Sequence, residues 1–411
     1  MSSSPTSSPT SLRTSVAAIQ RRGAPRTVIS APRVVTPGRV VAPGAVVIEA
    51  GRIIDVLEGE VRWLPDAIHL ETGILAPGLV DLQVNGYAGV DFASIEAAEW
   101  RKAQSALPAT GVTAFLPTLI TAPLDMLERG LALAAEVRRA SHKQPVARIL
   151  GVHFEGPFLA SSYRGAHDPR WLALPVAGHV DRLLAAASEG NLALITLAPE
   201  LDGGLAAVRR FTAAGVPVSI GHSGATAEEA DAAAGAGAQM VTHLFNAQRG
   251  IHHREPGVAG QALIDPRLSL GLILDFHHVS ETVCRLIFAA AGGRVVLVTD
   301  ATAAAGQPAG RYQLGGDVIE VKDGGPPRRL DGTLAGSTLR LDDAIANAVK
   351  LGVDLGAAVD AASRLPADLI GRRDLGRIQS GARADLVWLG EDLHTRATWI
   401  GGELAYGGVR Q

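Results

Sequence analysis

The stretch VPVSIGHSGATAEEADAAAGAGAQMVTHLFN, Val216 to Asn246, decides the fold. It opens with a β-branched run, Val216 to Ile220, that ends at Gly221-His222-Ser223. An alanine-rich helical pattern follows, with Thr226 and Glu229 spaced as a capping box. A second apolar run, Gln239 to Leu244, reaches His243 and Asn246. This is one strand–helix–strand unit, and parallel strands joined by a crossover put their C-terminal ends on the same side of a sheet. His222 and His243 therefore sit side by side, as a metal site or a catalytic pair requires. Two unrelated histidines at strand ends are the bland alternative.

The same alternation extends in both directions. Apolar runs cover residues 79–85, 112–119, 148–155 and 192–200 before this unit, and 269–278 and 294–301 after it. With 216–222 and 239–246 they make eight strands. Helical stretches separate them, among them Ser94–Leu107, Leu124–Ser141 and Glu281–Ala291. Eight strands each followed by a crossover read as an α/β fold of the (β/α)8 barrel type. No Gly-x-Gly-x-x-Gly opens the first unit, which argues against a dinucleotide-binding sheet.

The two ends of the chain read differently. Residues 26–77 are short strands and turns, and 379–411 resume that style, so the expectation is a small β-sandwich formed by both chain ends around a barrel at 78–378. Residues 1–25 are rich in Ser, Thr, Pro and Arg with no acidic residue. They have the composition of a transit peptide or, more simply, of a disordered tail.

With 411 residues and 47% hydrophobic content, the chain can bury a large core. Lys+Arg of 38 against Asp+Glu of 41 gives a net charge of −3, which argues against nucleic acid or an anionic membrane as partner. No apolar run approaches the roughly 18 residues of a membrane span. The single cysteine, Cys284, excludes an internal disulfide and a cysteine-based zinc site, and it suits a reducing cytoplasm.

Catalytic groups of such barrels lie at strand C-termini. The polar residues that end these runs are Gln83, Asn85, Glu155, His222, His243, His278 and Asp300. A carboxylate with two imidazoles is a competent zinc set with open positions left over. Asp300 stands where a general base is wanted.

The motifs APGLVDLQVNGYAGVDF (76–92), PTLIT (117–121), HFEGPFL (153–159) and GHSGAT (221–226) carry a family resemblance. THLFNA (242–247), REPGVAG (254–260), LVTDATAAAG (297–306) and GTLAGST (332–338) extend it. The chain resembles the N-acetylglucosamine-6-phosphate deacetylases of the amidohydrolase superfamily from about Arg26 onward. The resemblance implies hydrolysis of the N-acetyl group of N-acetylglucosamine 6-phosphate to glucosamine 6-phosphate and acetate. It makes Glu155, His222 and His243 the ligands of one divalent metal ion, most readily zinc, and Asp300 the catalytic base and acid. It makes His167 the donor to the developing oxyanion. Where much of the superfamily has His-x-His, this chain has Gln83-Val84-Asn85. Neutral amides are poor zinc ligands, so one ion is expected, with Gln83 and Asn85 shaping its site.

Substrate contacts implied by the resemblance are Ala166, Asn246, Ala247, Arg254, His278 and the loop Leu334-Ala335-Gly336. Arg254 is the candidate for the phosphate, since guanidinium meets phosphate in a bidentate fork. The family's arginine reaches across a subunit boundary, which implies a homodimer. The family's usual Asn-Ala-Met-Pro is replaced here by Asn246-Ala247-Gln248-Arg249, and His252-His253 precede Arg254.

Other residues read more plainly. His153 faces the same way as Glu155 and is an auxiliary ligand or a satisfied histidine of the barrel interior. His277, His252, His253, His69, His142, His179 and His394 read as structural or solvated groups, Cys284 as a buried apolar residue and Asp81 as a brace. Two rivals to the deacetylase reading are another amide substrate, such as N-acetylgalactosamine 6-phosphate or an N-acyl amino acid, and a catalytically silent binding protein.

Overall fold

The computed structural model describes residues 26–60, 67–187 and 191–408; the tail read at 1–25 lies outside them. Eight parallel strands form the centre: Leu79–Val84, Val112–Ile120, Val152–Glu155, Leu192–Leu197, Val218–Ile220, Met240–Val241, Ser269–Leu272 and Val295–Leu297. Each pairs with the next in sequence order. The circle closes just beyond the eighth strand. Asp300 N–H donates to Gln83 O at 2.9 Å, Asn85 N–H donates to Ala301 O at 2.8 Å, and Val84 bridges Ala301 in parallel. The first strand, LVDLQV, is buried at all six positions, as expected of a parallel strand covered on both faces.

The helices at Leu124–Ser141 and Glu281–Ala291 match the sequence pattern at both ends. Thr226 and Glu229 make the expected reciprocal cap: Glu229 N–H donates to Thr226 Oγ1, and Thr226 N–H to Glu229 Oε2. Several strands are shorter than their apolar runs. The run at 148–155 is broken at Leu150-Gly151. Those at 216–222, 239–246 and 294–301 stop before His222, His243 and Asp300, whose φ angles of 51°, 27° and 51° have left β space.

Two further sheets form outside the barrel, the first from N-terminal strands alone and the second from strands of both chain ends. One runs Arg52–Glu58, Gly44–Glu49, Arg26–Ala31, Ile68–His69; the other runs Glu403–Gly407, Thr395–Ile400, Leu386–Leu389, Ile74–Pro77, Val34–Thr36, Arg39–Val41. Leu386–Leu389 pairs antiparallel with Ile74–Pro77, so the C-terminal part completes a sheet begun more than 300 residues earlier. Ile29, Val46, Ile53, Leu75, Leu386 and Trp399 share a core there, separate from the barrel's.

A three-stranded sheet that the sequence reading missed follows the eighth barrel strand: Gly310–Leu314, Asp317–Val321 and Arg328–Arg329. Its signal was present. RYQL and DVIEV flank Gly315-Gly316, whose φ angles of 58° and 92° are both positive, as a two-residue hairpin turn of this hand demands. Among the described residues no helix is long and apolar enough to cross a membrane.

Candidate active site

Strand ends bring the polar residues of the sequence reading together. Glu155 is the last residue of the third strand, and His222, His243 and Asp300 follow the fifth, sixth and eighth. All four are buried. Left-handed backbone at three of them is a local cost of the kind that gathers at functional sites.

Three donor atoms converge. Glu155 Oε1 lies 3.2 Å from His222 Nε2 and 2.9 Å from His243 Nε2, and the two Nε2 atoms are 3.2 Å apart. Ligands about 2.0–2.1 Å from a tetrahedral ion stand about 3.3 Å from one another, so this triangle fits one ion. Behind it, Gln83 Nε2 donates to both Glu155 Oε1 and Asp300 Oδ1 at 3.0 Å. Asn85 Nδ2 donates to Asp300 Oδ1 at 2.7 Å. Amide N–H groups thus tie the two carboxylates together, and one oxygen of Asp300 carries both of its amide bonds while the other does not.

His167 also approaches, with Nε2 3.9 Å from Glu155 Oε2. Glu155, His167 and His222 all place ligand-type atoms within 4.8 Å of one another, so distance alone does not separate His167 from His243 as the third ligand. Hydrogen-bond partners, which fix tautomers by inference, do separate them. His222 Nδ1 faces the carbonyl of Tyr163 at 2.8 Å. A carbonyl only accepts, so Nδ1 carries the proton and Nε2 keeps its lone pair. His167 Nδ1 instead accepts from the backbone N–H of Thr121, at 3.2 Å, with Thr121 Oγ1 2.8 Å away. The N–H contact favours the proton on Nε2, the arrangement of a donor rather than of a ligand. His243 Nδ1 is buried without a protein partner.

Charge follows from the same contacts. Burial opposes ionisation of Glu155, but the His222 and His243 rings against it outweigh that and hold the carboxyl well below the usual range. Asp300 is pushed up to about 6 by burial and by the charge of Glu155. His167 is driven down to about 3 by burial and then by His222. A neutral His167 therefore sits against an anionic Glu155.

These groups floor a cavity of about 360 Å³. Asn85, Ala166, His167, Asn246, Ala247, His278, Leu334 and Gly336, all named as candidates above, line it. Gly336 has φ 63°, and a Cβ there would meet Asp300 O at 2.7 Å and Thr302 Cγ2 at 2.6 Å, so only glycine fits. Ala335 is buried beneath the rim with Leu314 and Ile319. Gln83 lies behind the carboxylates. Arg254 does not line the cavity of its own chain; it stands exposed on the loop after the sixth strand.

Ile120, Tyr163, Leu314 and Thr333 line the cavity and were missed. Leu314 and Thr333 arrive with the unrecognised hairpin sheet. That sheet is held to the barrel by Gly315 N–H donating to Asp91 Oδ2 at 2.8 Å and by Arg329 Nη1 donating to Ala166 O at 2.7 Å. Thr121, the last residue of PTLIT, is the residue that contacts His167 Nδ1.

The altered loop carries its own brace. Gln248 Nε2 donates to Thr242 O at 2.5 Å, and Gln248 Oε1 accepts from Phe245 N–H at 3.3 Å. One buried amide thus straddles His243, in a segment where His243, Phe245 and Ala247 all have positive φ. His153 is a satisfied interior histidine, bonded to Thr118 Oγ1 and Thr196 Oγ1. Asp81 braces the first strand to Thr299 after the eighth, at 2.6 Å. Cys284 is buried, and His252, His253 and His277 are exposed.

Comparison with known proteins agrees. The model of the amidohydrolase family matches residues 74–405. An N-acetylgalactosamine-6-phosphate deacetylase of Escherichia coli O157:H7 is 38% identical over 86% of this chain and 94% of its own. An N-acetylglucosamine-6-phosphate deacetylase of Bos taurus is 37% identical over 87% and 90%. The structure of the Mycobacterium smegmatis N-acetyl-D-glucosamine-6-phosphate deacetylase in complex with N-acetyl-D-glucosamine-6-phosphate superposes with a TM-score of 0.87. It is 35% identical and covers 93% of this chain and 100% of that one. With the family model spanning most of its length, this chain belongs to the amidohydrolase family.

Proposed function

We propose that this chain is a deacetylase that hydrolyses the N-acetyl group of N-acetylglucosamine 6-phosphate, releasing glucosamine 6-phosphate and acetate. The observation that carries this reading is the convergence of Glu155, His222 and His243 beside Asp300, under a cavity edged by the expected sugar contacts.

Glu155, His222 and His243 would hold one divalent ion, with zinc as the natural fit to one carboxylate and two imidazoles. Such an ion acidifies water and polarises an amide carbonyl. The protein's own groups handle the protons. Gln83 and Asn85 occupy Oδ1 of Asp300 and so orient Oδ2 as the proton-handling atom. Asp300 takes a proton from the attacking water and delivers it to the departing amine. His167, neutral and protonated on Nε2, donates to the oxygen that becomes negative as the carbonyl turns tetrahedral. Leu314, Leu334 and Ile273 on the cavity wall limit bulk water around that oxygen.

Arg254 is assigned to the phosphate; it does not line its own chain's cavity, which is compatible with the arrangement the resemblance implies, an arginine reaching into a second subunit's cavity. Arg254→Ala should then raise KM for the phosphorylated sugar about tenfold or more and leave the unphosphorylated sugar nearly unaffected. Equal effects on both would remove Arg254 from phosphate binding. We place the enzyme in the cytoplasm, as a homodimer.

Acetate release from N-acetylglucosamine 6-phosphate, N-acetylgalactosamine 6-phosphate and free N-acetylglucosamine, with metal content measured on the same sample, tests the reading. Preference for the first with about one ion per chain is expected. The 38% identical Escherichia coli relative favours the galactosamine epimer as the second reading. Absence of acetate from either phosphosugar by metal-loaded protein would overturn both.

A further inference from the structure

His278 is a cavity residue whose ring is gripped from behind. Its Nδ1 lies 2.7 Å from Asp275 Oδ2. The other oxygen, Asp275 Oδ1, accepts the backbone N–H groups of His277 at 2.8 Å and His278 at 2.9 Å. The loop doubles back between them at Phe276, which has φ 62° and packs under the Lys350 ammonium, 5.5 Å from the ring centroid. The two side chains are only 5% and 10% exposed, so the pair is largely shielded from water.

Asp275 does not line the catalytic cavity. It belongs to the wall of a separate polar cavity of about 570 Å³, shared with Gln307, Asn347 and His394. Burial alone would raise its pKa, but the His278 ring and the two backbone N–H groups outweigh that and hold it below the ordinary carboxylate range. An ionised carboxylate with every near neighbour donating to it has no proton to share, so the proton of the contact belongs to His278 Nδ1. Nε2 is then the polar atom that the ring turns to the cavity.

We propose that Asp275 is a positioning residue for the deacetylation: it fixes the rotation and tautomer of His278, so that Nε2 and not Nδ1 meets the phosphorylated sugar. The proposal takes its substrate from the deacetylase reading, but the grip itself does not depend on that reading. The logic matches that of a histidine ligand oriented by a carboxylate behind it, with a sugar phosphate in place of a metal.

Two measurements test it. Nitrogen-15 spectra of ring-labelled protein, without substrate, report which nitrogen of His278 carries the proton, with His278→Asn assigning the signal. Protonation on Nδ1 in the parent, lost or redistributed in Asp275→Asn, is expected. A parent ring with a bare Nδ1 would overturn the proposal, whatever the protein's substrate. Kinetics then take the cycle of Asp275→Asn, His278→Asn and the double variant on N-acetylglucosamine 6-phosphate. Asp275→Asn should raise KM about tenfold, with kcat changed less and metal content unchanged. The double variant should be no worse than His278→Asn alone, because Asp275 acts only through that ring. Fully additive losses would sink the idea. If the parent deacetylates neither phosphosugar, the deacetylase reading fails and the nitrogen-15 result still decides the role of Asp275.

Discussion

His167 and His222 are the same residue type, buried side by side with ring centroids 4.4 Å apart, yet their chemistry is opposite. His222 has a carbonyl behind its Nδ1, and His167 has an amide N–H. The first arrangement leaves a lone pair on Nε2 and the second leaves a proton there. One side of the cavity is therefore built to suit a cation and the adjoining side to donate to an anion. What separates the two roles is one backbone group on a neighbouring loop, not the imidazole.

Substitutions can break this contrast, beginning with the most severe. His222→Asn should strip the site: metal content should fall to a small fraction of the parent's, and acetate release with it. Full metal occupancy in that variant would take His222 out of the ligand set. Asp300→Asn belongs to the proton-handling side and should keep its metal while kcat falls about 10³-fold. Turnover within tenfold of the parent would end the acid–base assignment. His167→Asn should also keep its metal, with kcat lowered about 10²-fold. If it loses metal as His222→Asn does, the tautomer argument fails and His167 is a ligand.

Most of this was legible in the sequence, for a physical reason. Buried parallel strands read as unbroken apolar runs, and a barrel puts its chemistry where those runs end, so Glu155, His222, His243 and Asp300 could be named from spacing alone. The hairpin sheet at 310–329 was lost because its strands are half exposed and carry charges, so no apolar run marks them; only Gly315-Gly316 did. Thr121 and Tyr163 were lost for another reason. Tyr163 acts through its backbone carbonyl and Thr121 partly through its backbone N–H, groups that every residue has and no sequence motif records. Gln248 lay in between: its departure from the family pattern was visible, but not that its side chain spans Thr242 and Phe245.

The ring closes where Gln83 O meets Asp300 N–H, and the Gln83 amide joins Asp300 across a separation of 217 residues. The third, fifth and sixth strands lead to Glu155, His222 and His243, and Asp300 comes in only with the eighth, at the last seam. Loop closure over such a span costs more entropy than closure between neighbouring strands, though the cost grows slowly with length. The seam that shuts the barrel is thus also the one that completes the four-residue cluster.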